Sequence, residues 1–222
     1  MFQARTAMKV CTDSCILGAL AEHHDPCRIM DIGTGTGLLS LMLAQKYACP
    51  IDAIEIHLPS GEEAALNFKN SPWGHRLHLH QCRIQDFQSL EKYDIIISNP
   101  PFYKQHLKST TSDRNLALHN DTLSLTDLSI AITKYLSSSG MFFVLLPPRE
   151  SVELYGIMRD SGFYRNTLFQ IKHNTTSKVL REVSVYSLDY QPENIQDFTI
   201  MNDQSQYSKE FTNRLKPYYL YL

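Results

Sequence analysis

The chain has 222 residues, 43% of them hydrophobic and 20% charged, with a formal net charge of −2. Those values exclude a disordered, fibrous or low-complexity chain and suit one α/β domain spanning residues 1–222 around a buried core. No apolar run reaches the length of a membrane span, and MFQARTAMKVCTDS lacks the apolar centre of a signal peptide. With five cysteines and no CxxC pair, a cytoplasmic protein with free thiols, no disulfides and no membrane partner is expected.

The small net charge hides a segregation. Residues 1–12, 104–114 and 161–181 carry two, two and four positive charges in excess; these eight leave −10 for the rest of a chain of net −2. A local phosphate-binding face on an acidic body would produce this pattern, and so would a set of solvated loop lysines.

In chain order, residues 1–27 are too few for an independent domain and carry Met8-Lys9-Val10-Cys11-Thr12-Asp13 just before a helix. Thr12 and Asp13 are candidates either to cap that helix or to reach a ligand. Arg28–Ile32 reads as a strand ending at a glycine cluster, and Leu38–Tyr47 as a mostly buried helix. Ile51–Ile56 is a second strand. Pro59 opens a helix through Glu62–Asn67, and Leu77–Cys82 and Tyr93–Ser98 are the third and fourth strands. Lys104–Asp121 is a long polar connection of the kind that carries function. Leu125–Leu136 is an amphipathic helix stopped by Ser137-Ser138-Ser139-Gly140, Met141–Leu146 a central strand, and Pro147, Pro148 and Glu150 open a helix to about Ser161. Phe163–Ile171 and Glu182–Leu188 form a terminal hairpin with a charged tip, and residues 190–222 a Tyr-rich tail packed on the body. The order βαβαβ…βαβα predicts a Rossmann-like, mostly parallel seven-stranded sheet with helices on both faces and a terminal antiparallel hairpin.

Two constellations carry chemistry. Asp31-Ile32-Gly33-Thr34-Gly35-Thr36-Gly37 follows a strand and opens a helix, where open α/β sheets bind nucleotides; Leu38 breaks the GxGxxG dinucleotide pattern. Glycines let the backbone pass under a flat ligand, Asp31 can attract a cationic group, and Glu55 at the next strand end can accept from two ribose hydroxyls. A tight strand–helix turn is the plainer alternative. The second constellation, Ser98-Asn99-Pro100-Pro101-Phe102, ends the fourth strand. Prolines hold its carbonyls rigidly, so the Asn99 side chain and the Pro100 main chain offer two acceptors for an NH₂ group, while Phe102 offers a stacking face. Two acceptors favour pyramidal nitrogen, which localises the lone pair of a poorly nucleophilic amine. The alternative is an Asn-Pro-Pro turn beside a core Phe. His78, His80 and Cys82 share one strand face, but no fourth ligand is evident, so no metal is expected.

Together DIGTGTG and NPPF resemble the class I methyltransferases that modify amino nitrogens, across the whole chain. Met8–Asp13, Ala64–Trp73 and Arg114–His119 narrow the resemblance to the bacterial valine-tRNA adenine-37 N6-methyltransferase family. Cys11 stands where that family usually has glycine, and Leu118 where arginine is common. The resemblance implies S-adenosylmethionine as cofactor and the exocyclic amine of adenosine 37 in the valine tRNA anticodon loop as target. It implies a catalytic set of Asn99, Pro100, Pro101 and Phe102, and a cofactor set of Lys9, Thr12, Asp31, Gly33, Thr34, Gly35, Gly37, Glu55, Ile56, Asp86, Phe87 and Asn99. Asp86 would meet the cofactor's amino group, with a helix N-cap as its alternative. Arg5, Lys104, Lys108, Arg114, His119, Lys172, Lys178 and Arg181 are the expected RNA contacts, and a monomer is expected. A release-factor glutamine methyltransferase, or another rRNA or DNA amino-methyltransferase, shares the amide-gripping motif but usually carries additional domains. A non-catalytic nucleotide-binding module is the third class.

Overall fold

The computed structural model describes residues 2–3, 11–101 and 123–221. Eight strands form one sheet: β1 Ile29–Ile32, β2 Ile51–Glu55, β3 Leu77–Gln81, β4 Tyr93–Ser98, β5 Leu136–Leu146, β6 Tyr164–Lys172, β7 Val179–Ser187 and β8 Asn194–Thr199. Their spatial order is β3-β2-β1-β4-β5-β7-β6-β8. β7 runs antiparallel to both β5 and β6; every other pairing is parallel. β1 and β2 are buried along their whole length, as strands covered on both faces must be, and their acidic residues Asp31, Asp52 and Glu55 are buried with them.

The helices are α1 Thr12–Leu20, α2 Leu38–Lys46, α3 Leu58–Lys69, α4 Leu125–Tyr135, α5 Pro148–Asp160 and α6 Lys209–Leu215. Alternate strand residues feed two cores. On one face Ile29, Ile95, Ile97 and Phe143 meet α1, α2, α3 and α6 through Leu17, Leu43, Phe68 and Phe211. On the other Met30, Ile96, Phe142 and Val144 meet α4 and α5 through Leu128, Ile132, Leu154 and Met158. Helices therefore cover both faces, as expected. Local chemistry sets the ends: Ser124 and Ser208 cap α4 and α6 by accepting from Asp127 N and Phe211 N, and Pro148 begins α5 where its missing N–H costs nothing. No helix among the described residues is long and apolar enough to cross a membrane.

Three expectations are corrected. The sheet has eight strands, not seven, because part of the tail adds β8 parallel to β6 in the register Leu168↔Ile195. Ser137–Gly140 follow the end of the helix but already belong to the central strand, which begins at Leu136, not Met141. α4 ends at Tyr135 and these residues bulge within β5, whose register jumps from Tyr93↔Leu136 to Ile95↔Met141 while Ser137 Oγ bonds Asp94 Oδ1 at 2.7 Å. Neither Thr12 nor Asp13 caps α1, since Cys11 holds the N-cap position without a side-chain bond.

Candidate active site

The site assembles at the carboxyl ends of β1, β2 and β4, beside the switch between β1 and β4 where the chain order of the sheet reverses direction. After β1 the chain turns through Gly33, Gly35 and Gly37, all with left-handed φ (74°, 59° and 84°). The two turns of this loop serve different purposes. A Cβ on Gly33 or Gly35 would project into open space, whereas one on Gly37 would overlap the Phe68 ring. Gly37 is thus demanded by packing between α2 and α3, and the first two glycines leave an open cradle.

Asp31 is fully buried, and its Oδ2 accepts from Thr34 Oγ1 at 2.6 Å, Ser40 Oγ at 2.7 Å and Ser40 N at 3.1 Å. It thereby satisfies an orphan N–H in the first turn of α2, where the helix dipole favours an anion. Its other oxygen, Oδ1, is buried with no hydrogen-bond partner among the described residues. Burial pushes the carboxyl up to about 6, with the Thr34 and Ser40 bonds opposing the rise. Glu55, also buried, spans the loop: Oε2 accepts from Gly35 N at 2.8 Å and Oε1 from His57 N at 2.7 Å. Asn67 clamps the same loop from α3, donating to Thr36 O at 2.9 Å while exchanging bonds with the backbone of Phe2.

Next to this loop lies an apolar cleft lined by Ile32, Gly33, Ile54, Ile56, Ile84 and Leu123, with Arg83 and Gln85 also on its wall. Ile56 is 42% exposed there, an apolar side chain with an open face. A larger cavity of about 650 Å³, behind α3, shares no residue with the cleft and does not border the glycine loop.

Ser98 ends β4 paired with Ile32, and its Oγ bonds Ile32 O at 2.8 Å, which puts Asn99 alongside the start of the glycine loop. Asn99 Nδ2 donates to Ser14 Oγ of α1 at 2.8 Å. Its Oδ1 has no partner among the described residues. Pro100 is buried behind it and Pro101 exposed.

Asp31, Gly33, Thr34, Gly35, Gly37, Glu55, Ile56, Asn99 and Pro100 lie at the carboxyl ends of β1, β2 and β4 or in the segments that follow them. Thr12 is exposed at the start of α1. Asp86 is exposed in a turn after Gln85 and no helix begins there, so it is not an N-cap. Phe87 is a core residue instead. Its ring stands edge-on to His80 and Tyr135, and its N and O are both bonded, to Arg83 O and Tyr135 OH. His80 belongs to a polar pair, with Nε2 2.7 Å from Asp52 Oδ1, whose second oxygen accepts from Tyr93 OH. Ser14 and the cleft residues Ile54, Ile84, Arg83 and Leu123 were not foreseen. Arg5, Lys9, Phe102, Lys104, Lys108, Arg114 and His119 lie outside the described residues.

Of the cations expected to meet RNA, Lys172 pairs with Asp197 Oδ2 at 2.7 Å and Arg181 lies 3.7 Å from Asp13 Oδ2 on α1. Arg165, in the same positive stretch, is committed to Glu193 and to the Tyr155 ring. Lys178 is exposed on the hairpin tip. Because β6 runs with β5, that tip sits at the carboxyl edge of the sheet, the same edge as Asn99.

A doubly wound sheet with a glycine loop after β1, an acid ending β2 and Asn-Pro-Pro ending β4 is the plan of a class I S-adenosylmethionine-dependent methyltransferase. Among solved structures, a predicted O-methyltransferase from Agrobacterium tumefaciens superposes with a TM-score of 0.68 at 15% identity, covering 93% of this chain and 96% of that one. A Pyrococcus furiosus methyltransferase gives 0.61 at 16% identity, covering 86% and 88%. The methyltransferase small domain family matches residues 12–122. Relatives named tRNA1(Val) (adenine(37)-N6)-methyltransferase are 37% identical in Cytophaga hutchinsonii, over 99% of this chain and 94% of the relative. In Flavobacterium psychrophilum the identity is 36%, over 98% and 95%. The chain belongs to this methyltransferase family.

Proposed function

We propose that the protein transfers a methyl group from S-adenosylmethionine to the exocyclic 6-amino nitrogen of adenine in tRNA, at position 37 of the valine tRNA anticodon loop. The observation that carries this reading is the Asn99 amide. It follows β4 beside the glycine loop, with Nδ2 spent on Ser14 and Oδ1 without a partner among the described residues. The activity for which relatives matched over nearly the whole chain are named supplies the choice of substrate.

The cofactor fits the residues present. The open side of Gly33 and Gly35 forms a cradle, the unpartnered Asp31 Oδ1 suits a cationic amino group, and the spare lone pairs of Glu55 suit ribose hydroxyls. The apolar cleft with Ile56 suits a purine ring, and Asp86, Lys9 and Thr12 complete the expected set. Bound there, the cofactor supplies an electrophilic methyl group. Asn99 Oδ1 and Pro100 O accept the two hydrogens of the amine and favour its pyramidal form, and Phe102 stacks on the base. No side-chain base is required, because the proton becomes acidic only once nitrogen bears positive charge.

Residues 1–222 act as one cytoplasmic, monomeric methyltransferase domain. Arg5, Lys104, Lys108, Arg114, His119, Lys178 and Arg181 meet RNA phosphates around an anticodon loop whose target base needs only partial unstacking. The test is transfer of labelled methyl groups to total tRNA, ribosomal RNA and release factor offered separately. Label in tRNA, recovered as N6-methyladenosine, is expected; label confined to release factor or ribosomal RNA overturns the substrate.

A further inference from the structure

We propose that Ser14 is the positioning residue that fixes the orientation of the Asn99 amide, an inference that rests on the amine-gripping reading above. An asparagine side chain has two nearly isosteric orientations, and only one presents an acceptor where an NH₂ group must be held. Turned by 180°, Asn99 would offer donors to a donor. The selection must come from a neighbour, and Ser14 Oγ is the side-chain partner of Asn99 among the described residues, accepting from Nδ2 at 2.8 Å.

A hydroxyl can donate as well as accept, so it selects an orientation only if its own hydrogen is engaged elsewhere. Cys11 Sγ lies 3.2 Å from the same Oγ. With the hydroxyl hydrogen turned to that sulfur, the Oγ lone pairs face Nδ2, and the chain Ser14 O–H to Cys11, Asn99 N–H to Ser14 runs in one direction.

Ser14 is itself held still. It is 6% exposed, and its neighbours in the first turn of α1 are anchored to distant parts of the chain. Asp13 faces Arg181 of β7, while Tyr219 of the tail packs against the core cluster that contains Cys15. Three segments far apart in sequence therefore meet at one turn of helix whose inward-facing hydroxyl touches Asn99.

The test is a double-mutant cycle of Ser14→Ala and Asn99→Ala, read as single-turnover methylation rate, with cofactor affinity by calorimetry and thermal midpoint measured on each variant. Ser14→Ala is expected to slow the chemical step about tenfold while cofactor affinity and midpoint stay unchanged, and to cost nothing further in the Asn99→Ala background. Ser14→Thr, which restores the hydroxyl, should recover most of the rate. Full activity in Ser14→Ala overturns the inference, as does an equal loss in both backgrounds or a loss matched by weaker cofactor binding. Full activity in Asn99→Ala instead overturns the amine-gripping reading.

Discussion

Asp31 is spent on structure with one oxygen and left unpaired with the other, and that asymmetry makes a measurable prediction. Burial raises its carboxyl from 3.8 to about 6, so the fold favours the protonated form. The resulting contribution to stability is complete below about pH 4 and is lost as pH rises through about 6. A cationic amino group brought to Oδ1 pulls the value down again against the nearby Glu55 charge, so cofactor binding near pH 6 should release protons. Calorimetry in buffers of different ionisation enthalpy checks this; Asp31→Asn should abolish the release, and no release from the unaltered protein at pH 6 would place the amino group elsewhere. Asn99→Ala should lower turnover by roughly a hundredfold or more, as for losing an oriented transition-state acceptor, with cofactor affinity within a few-fold. Stopped-flow or quench measurement of a single turnover separates the two effects. Asn99, Asp31 and Glu55 were all legible as residues, because their positions at strand ends follow from pattern alone. What pattern could not reveal is what each carboxylate and amide already holds. Ser14 touches Asn99 across 85 positions of sequence, and nothing in TDSCILGAL marks it.

At the scale of elements, the glycine loop separates ligand demands from packing demands. Gly37→Ala must place a Cβ against Phe68 at a left-handed φ, so a loss of stability above about 2 kcal/mol is expected from strain plus overlap. Gly35→Ala meets no neighbour, so it should cost only the 1–2 kcal/mol or so of the backbone conformation while weakening cofactor binding at least tenfold. Denaturant unfolding and calorimetry on the two variants make the comparison, and equal effects on both measurements would erase the distinction. The same contrast explains which elements were readable. β1, β2 and β4 announce themselves because strands buried on both faces are rich in isoleucine. β8 does not: in NIQDFT only Phe198 is buried, and the segment is a strand because the outer edge of β6 is there to receive it. Ser137–Gly140 reads as a helix stop because three serines and a glycine disfavour helix, yet the same residues serve equally well in a bulge. Asp86 and Phe87 were placed by resemblance; pattern alone did not show that the turn after β3 also brings Arg83, Ile84 and Gln85 to the cleft wall.

The whole molecule decides how an acidic body grips an anionic substrate. The direction of β6 carries the hairpin tip to the edge that bears Asn99, which residue spacing alone left open. Not every cation of residues 161–181 is available there. Arg165 and Lys172 are held by Glu193 and Asp197, so neutralising RNA phosphate would require breaking an existing pair. Lys178 is exposed, and Arg181 sits 3.7 Å from Asp13 with 39% of its side chain open to solvent, loose enough to exchange a carboxylate for a phosphate. Each phosphate neutralised releases condensed counterions, and the salt dependence of affinity counts them at about 0.7–0.9 in log–log slope per contact. Replacing Lys178 and Arg181 together by alanine should therefore flatten the slope for valine tRNA by roughly 1.5, and raise the Michaelis constant at physiological salt. Lys172→Ala should change the slope little. The rate of the chemical step with saturating tRNA should hold in the Lys178→Ala variant, since that residue neither touches the base nor braces α1. In Arg181→Ala it can fall, because Asp13 loses its partner one residue from Ser14. Filter binding across a salt series measures the slopes. An unchanged slope in the double variant would mean that the hairpin faces away from the bound RNA, and that the phosphate contacts belong to the segments on either side of α1 and Asn99.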